Sequence, residues 1–297
     1  MTEGLSVLIP VYNWEVGALV NSLLAQQADW PGPVEIILFD DGSRPEFQAA
    51  NRALGALAGV RYHELPHNVG RAAIRNQLAA AAQHKWLLLL DNDSLLPDGK
   101  FLARYAAARA LAPVLIGGTC YRTTPPDDPA LRLRWHYGRA REARSARLRQ
   151  AQPYQQLTIN NALIRADVFR RYPLDEQLHG YGHEDTQFGA ALAAASVPLR
   201  HLDNPALHEG LEPAAVFLQK SEQAVRNLAQ VHRQTGTGTD SRLLKLAVRL
   251  QQLGLAAAAR ATLKAAAPTL RRRLLSDAPN LRLFDLLKLH WLLRELA

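Results

Sequence analysis

Short apolar runs alternate with segments of helical spacing through the first half of the chain. Leu5–Pro10, Glu35–Phe39, Val60–Glu64, Trp86–Leu90 and Leu115–Gly117 read as strands, and Trp86–Leu90 has no polar side, which places it in a sheet covered on both faces. Between them, Val16–Gln27, Pro45–Leu57, Arg71–Ala82 and Lys100–Ala110 carry Leu and Ala at helical spacing, with Ser43 and Asp98 positioned as caps. This alternation predicts an α/β fold, a mostly parallel sheet flanked by helices. There is no internal repeat.

The pattern changes after about residue 120. Thr123–Pro129 reads as a loop and Leu131–Gln150 as an arginine-rich helix or mobile segment. A further strand is expected at Leu199–Asp203 and a helix at Thr186–Ala195. From Leu211 onward the spacing is helical, broken by a Gly/Thr linker at Thr235–Ser241 and by Pro268 and Pro279. The expected division is therefore a domain over 1–210 and an all-helical extension over 211–297.

Composition narrows the class. A single cysteine, Cys120, excludes an internal disulfide framework and cysteine-based zinc sites, and fits a reducing, cytoplasmic setting. The start has no basic leader, so no signal peptide is expected, and no apolar stretch is long enough to span a bilayer. The net charge of +8 invites a nucleic-acid reading. The excess is uneven, however: arginines crowd between Arg132 and Arg149 and again in the final third, while the first hundred residues are close to neutral. No nucleic-acid partner is expected.

The candidate chemistry lies where strands end. If the sheet is parallel, the ends of the first, second and fourth strands share one edge, where open α/β sheets bind ligands. The first ends in Pro10-Val-Tyr12-Asn13, the second in Asp40-Asp41-Gly42-Ser43, and the fourth in Asp91-Asn92-Asp93. Asp-x-Asp suits a divalent cation holding a diphosphate, but Asp and Asn also make plain turns. Tyr12 could stack on a base and Asp41 could accept from an imide N–H, with ordinary strand-to-helix turns as the alternative. Neither G-x-x-x-x-G-K-[ST] nor G-x-G-x-x-G occurs, against a P-loop or Rossmann dinucleotide site. Glu184 and Asp185 open a helix, where they either cap it or supply a base. No motif marks Cys120 or a serine as a nucleophile.

In these residues the chain resembles the family 2 inverting glycosyltransferases of GT-A fold. The segments that carry the resemblance are Ser6-Val-Leu-Ile-Pro-Val-Tyr-Asn13, Phe39-Asp-Asp-Gly-Ser43, Asn68-Val-Gly-Arg-Ala-Ala-Ile-Arg-Asn76, Asp91-Asn-Asp93 and Gly180-Tyr-Gly-His-Glu-Asp185, spanning Ser6 to about Gly210. The resemblance implies a nucleotide-sugar donor, a UDP-sugar, held by Tyr12 and Asp41, with Pro10, Asn13 and Asn92 beside it and Arg71 or Arg75 nearby. It implies that Asp91 contacts ribose or sugar, Glu184 touches donor sugar or acceptor, and Asp185 is the general base. It places the metal on Asp93, with His208 completing the shell. Imidazole beside carboxylate suits Mn²⁺ better than Mg²⁺. Asn160 and Asn161 match a position close to donor or acceptor, and His179 and His183 are expected to be acceptor contacts or bystanders.

In the tail, Leu243, Leu246, Leu250 and Leu253 recur at helical spacing, as do Leu283, Leu286, Leu287, Leu293 and Leu296. They predict a small bundle. A sharper reading makes this a basic surface, with Arg271–Arg273, Lys288 and Arg294, that associates peripherally with anionic membrane. The function expected is metal-dependent sugar transfer to a saccharide or lipid-linked acceptor in polysaccharide assembly. The alternatives are a sugar-nucleotide-forming nucleotidyltransferase and a non-catalytic glycan or membrane binder.

Overall fold

The computed structural model describes residues 3–176, 184–235 and 241–297. Its strands in chain order are β1 (Leu5–Val11), β2 (Val34–Asp40), β3 (Val60–Glu64), β4 (Trp86–Leu90), β5 (Ser94–Leu95), β6 (Val114–Ile116), β7 (Thr119–Cys120), β8 (Asn161–Arg165), β9 (Leu199–His201) and β10 (Ala206–His208). The helices among and beside them are α1 (Gly17–Leu24), α2 (Pro45–Arg52), α3 (Arg71–Ala81), α4 (Phe101–Ala108), α5 (Arg132–Tyr137), α6 (Ala146–Gln150), α7 (Ala166–Arg171) and α8 (Glu184–Ala194). Four more follow: α9 (Ala214–Thr235), α10 (Arg242–Gln252), α11 (Ala256–Leu274) and α12 (Leu281–Glu295).

Seven strands form one sheet in the order β3-β2-β1-β4-β8-β6-β9. Its ladders are parallel except where β8 runs antiparallel to β4 and β6. Side chains alternate between two cores as a pleated strand requires. Leu5, Val7 and Ile9 with Leu88 and Leu90 join α1 and α4 residues such as Leu19 and Phe101 on one face, and Leu8, Leu87 and Leu89 join Ile74, Phe169 and Phe188 on the other. Burial on both sides explains the unbroken leucine run of β4, each leucine contributing about 1.5–3 kcal/mol. A three-stranded sheet, β5-β10-β7, lies beside it. The fold class is the expected one, a mostly parallel sheet flanked by helices with C-terminal helices after it.

The packing divides into two units. One is built from Met1–Tyr121, Arg141–Leu178 and Glu184–Gly210, and the other includes Arg122–Ala140 and Leu211–Ala297. The expected arginine-rich helix is thus split: α5 packs with the C-terminal helices, while α6 belongs with the sheet. In the second unit, α12 is buried through Phe284, Leu287, Leu289, Trp291, Leu292 and Leu293, while Leu286 of the expected apolar stripe faces solvent. The buried stripe of α10 is Leu244 and Ala247, and Leu246 and Leu253 of the expected apolar stripe face solvent. Among the described residues no helix is long and apolar enough to cross a membrane.

Candidate active site

β1, β2 and β4 are parallel neighbours, so Tyr12, Asp41 and Asp91, which follow them, share one edge of the sheet. The β1–β2 ladder runs to Val11↔Asp40, whereas β1–β4 ends at Leu8↔Leu89. Pro10 has no N–H with which to extend a ladder, and beyond it the two strand ends separate. Tyr12 leaves the sheet half exposed, at 51%. Its carbonyl accepts from Asn92 Nδ2 at 3.2 Å, which joins the two strand ends.

Asn13 takes a positive φ of 49°. Its N–H donates to Ser43 Oγ at 2.8 Å, and its Oδ1 accepts from the Arg44 N–H at 2.9 Å. Asn13 therefore fixes the loop that presents Tyr12. Ser43, expected to cap α2, instead ties the first two strand ends together, and α2 starts at Pro45 with no side-chain cap. Asp98 likewise does not cap α4; it accepts from the Lys100 N–H at 2.8 Å and pairs with Arg104.

Asp41 is buried and accepts from the Val69 N–H at 2.7 Å and the Gly70 N–H at 3.3 Å, so its carboxylate holds the loop leading into α3. Burial pushes its carboxyl above the usual range, against the pull of those two N–H groups. Gly42 beside it has φ +71°, and a Cβ there would sit 2.8 Å from the His67 carbonyl carbon, so only glycine fits.

Asp91-Asn-Asp93 is a turn as well as a charged site: the Ser94 N–H donates to the Asp91 carbonyl at 3.2 Å. The two acids face different partners. Asp91 pairs with Arg75, which is buried in α3, and lies 3.7 Å from Arg71, which in turn reaches Glu184 at 3.1 Å. Burial would raise the Asp91 carboxyl, but Arg75 and Arg71 outweigh it and hold it low. Of the two arginines only Arg71 is open to a ligand, its side chain being 47% exposed against 4% for Arg75. Asp185, one residue on from Glu184 in the first turn of α8, is pushed up to about 7 by burial and by the Glu184 charge, with Arg75 and Arg71 pulling the other way.

Asp93 meets His208 because β10 pairs antiparallel with β5, register His208↔Ser94. His208 Nδ1 lies 3.4 Å from Asp93 Oδ1. That oxygen is buried and accepts no hydrogen bond from the described residues. Gly210 closes the other side: a Cβ there would fall 2.1 Å from Asp93 Oδ2. The Tyr121 ring meets the His208 ring edge-on at 5.4 Å, and its hydroxyl donates to Glu142. Carboxylate beside imidazole is a donor pair for a divalent cation, and a buried oxygen without a donor fits one. Among the described residues no cluster of three His, Cys, Asp or Glu forms.

Asn161 is fully buried: its side chain donates to the Gly118 and Asn204 carbonyls and accepts from the Tyr105 hydroxyl. It is a strut between strands, and a ligand contact at this position is left to Asn160, whose Nδ2 donates to Thr119 Oγ1 at 2.8 Å. Gly180–His183 and His179 lie outside the described residues. The arginine cluster is not uniformly a solvated face. Arg149 is buried and donates to the Ile116, Gly117 and Leu202 carbonyls, and Arg134 is buried over the Phe217 ring. Beside Arg149, His201 is pushed down to about 4 by burial and stays neutral.

Residues 6–172 match the family model described as Glycosyl transferase family 2. A validoxylamine A glucosyltransferase from Streptomyces hygroscopicus subsp. limoneus is 28% identical over 228 residues, which cover 66% of this chain and 49% of that protein. The chain thus spans about half the length of that curated relative. Among solved structures, TarS residues 1–349 of S. aureus align over 85% of this chain and 78% of theirs, with 16% identity and a TM-score of 0.51. A mannosyltransferase from Pyrobaculum calidifontis, solved with GDP-Man and Mn²⁺, aligns over 97% of this chain and 85% of its own, with 16% identity and a TM-score of 0.58.

Proposed function

Because the chain belongs to glycosyl transferase family 2, we propose that it transfers a sugar from a nucleotide-sugar, a UDP-sugar in preference to others, to a hydroxyl of a saccharide or lipid-linked glycan, with inversion. The observation that supports this reading is the sheet edge shared by Tyr12, Asp41 and Asp91, with Arg71 reaching both Asp91 and Glu184 and His208 lying beside Asp93. Tyr12 stacks on the base and Asp41 shapes the loop around it. Asp91 holds Arg75 and Arg71 in place, so its effect on the donor runs through Arg71, which faces solvent and carries the positive charge a diphosphate attracts.

Asp185 takes the proton of the acceptor hydroxyl. As it does so, the acceptor oxygen bonds to the anomeric carbon and the bond from that carbon to the diphosphate oxygen breaks on the opposite face. A carboxyl pushed up to about 7 is a stronger base than an ordinary aspartate and is still half ionised near neutrality. Glu184, held by Arg71, contacts sugar or acceptor from the same turn. Asp93 and His208 would hold a divalent cation, Mn²⁺ in preference to Mg²⁺, which when bound supplies positive charge for the leaving diphosphate. The TarS structures that include UDP and the mannosyltransferase solved with GDP-Man and Mn²⁺ support a nucleotide-sugar and a divalent ion in general. We place the reaction in the cytoplasm.

The test is a panel of UDP- and GDP-sugars with Mn²⁺ and simple saccharide acceptors, reading the phosphate product. Release of nucleoside diphosphate supports the proposal. Release of pyrophosphate would establish the nucleotidyltransferase instead, and UDP binding without turnover on any acceptor would favour the non-catalytic binder.

A further inference from the structure

All of the net charge of the chain resides in its C-terminal part. Residues 1–210 carry 21 basic and 21 acidic side chains, whereas residues 211–297 carry 14 basic and six acidic, a net of +8. Within that part the imbalance concentrates further. From Ser241 to Ser276, the stretch that forms α10 and α11, there are eight Lys and Arg and not one Asp or Glu.

On α10, Arg242, Lys245, Leu246, Arg249 and Leu253 fall at helical spacing along one exposed face, opposite buried Leu244 and Ala247. On α11, Lys264 and Arg271–Arg273 are exposed and Arg260 is half-buried. Only Leu253, Gly254 and Leu255 join the two helices, so α10 and α11 form a helical hairpin with these three residues at its tip. Gly254 makes the turn with φ +71°. The two leucines of the tip are 60% and 51% exposed. Leu246 and Leu275 add further exposed apolar surface, at 46% each.

We propose that the α10–α11 hairpin docks on an anionic lipid bilayer, with Leu253 and Leu255 entering the interfacial region and Arg242, Lys245 and Arg249 of the same face lying against the headgroups. Charge complementarity selects an anionic partner, and the leucines select a bilayer over a polyanion. A surface for single-stranded nucleic acid would offer aromatic side chains for stacking, and Ser241–Ser276 contains no Phe, Tyr, Trp or His. The surface differs from the expected one, which rested on Arg271–Arg273 of α11 and on Lys288 and Arg294 of α12. On α12, Lys288 lies over the Tyr137 and Phe284 rings and pairs with Asp285, and Arg294 pairs with Glu222 and Glu295. The inference stands independently of the chemistry at the sheet edge.

The test is co-sedimentation of the full chain with phosphatidylcholine vesicles, with and without phosphatidylglycerol, at low and high salt, alongside a single-stranded RNA oligomer as competitor. The expected result is binding only to the phosphatidylglycerol vesicles, weakened about tenfold or more by salt, by Leu253→Ser with Leu255→Ser, and by Arg242→Glu with Arg249→Glu. Leu253→Trp, which keeps an apolar tip, is expected to bind and to shift its emission to the blue with these vesicles. Failure of the wild type to bind phosphatidylglycerol vesicles at low salt overturns the proposal. So does wild-type affinity in the leucine variant, an unshifted Leu253→Trp, or displacement of the vesicles by RNA.

Discussion

His208 Nδ1 and Asp93 Oδ1 lie 3.4 Å apart because two very short strands, β5 and β10, pair directly after the Asp-Asn-Asp turn. Asp93 Oδ2 lies where a Cβ on residue 210 would stand, and the buried Oδ1 accepts no hydrogen bond from the described residues. Asp93→Ala and His208→Ala are each expected to weaken Mn²⁺ binding in the presence of nucleoside diphosphate by about 10–100-fold or more, read by titration calorimetry. Gly210→Ala, which touches no ligand, is expected to do the same by displacing Asp93. Wild-type Mn²⁺ affinity in Gly210→Ala would mean that the carboxylate has another place to go.

Arg75 and Arg71 are one helical turn apart on α3 and have different work. Arg75 is buried against Asp91, and removing it leaves a buried carboxylate unpaired. Arg75→Ala is expected to cost about 3–5 kcal/mol in urea unfolding of the catalytic unit. Arg71→Ala, half exposed, is expected to cost under about 1 kcal/mol while raising the donor KM about tenfold. Equal stability losses would show that the pairs are not divided in this way.

Much of this arrangement was legible in the sequence. The leucine run of β4 and the strand-to-helix alternation predicted the parallel part of the sheet, because a strand covered on both faces needs no polar side. β8 was missed: Asn161-Ala-Leu-Ile-Arg165 is a short apolar run, and nothing in it signals an antiparallel partner. β5, β7 and β10 are two or three residues long, too short for any periodicity, yet they bring His208 to Asp93. Ser43 does not cap α2, and Asn13 and Asn161 have backbone partners that the sequence did not signal, for one reason. Small polar residues at strand ends serve ligand and backbone equally well, and only the packed loops show that these three tie backbone together. Gly210 carried no signal beyond being a glycine.

Tyr12 separates base recognition from stability. Its ring is half exposed, so Tyr12→Ala is expected to change unfolding free energy by no more than about 0.5 kcal/mol and to raise the donor KM about five- to twentyfold. Equilibrium unfolding and donor titration together check this. An unchanged KM would remove Tyr12 from the base site.

Asp185 carries a stability cost with a definite sign. Its carboxyl is at about 7 in the folded chain, above its value of roughly 4 when unfolded. Between these values the native state binds the additional proton, so this group's contribution to stability falls as pH rises from about 4 to 7 and stays low above it. Asp185→Asn removes that cost. It is expected to raise the melting temperature of the catalytic unit at pH 8 by about 3 °C or more and to change it little near pH 4, read by scanning calorimetry. A variant less stable than wild type at pH 8 would place the carboxylate in a stabilising pair instead.

The most direct test of the account is the pH dependence of kcat/KM for nucleoside diphosphate release by the wild type and by Asp185→Asn. The account predicts a wild-type rate that rises through an apparent pKa near 7, as Asp185 loses its proton, and a variant that still binds donor but turns over at least about a hundredfold more slowly. A variant that keeps the wild-type rate and the same rise would contradict it, because the proton would then go to a group other than Asp185.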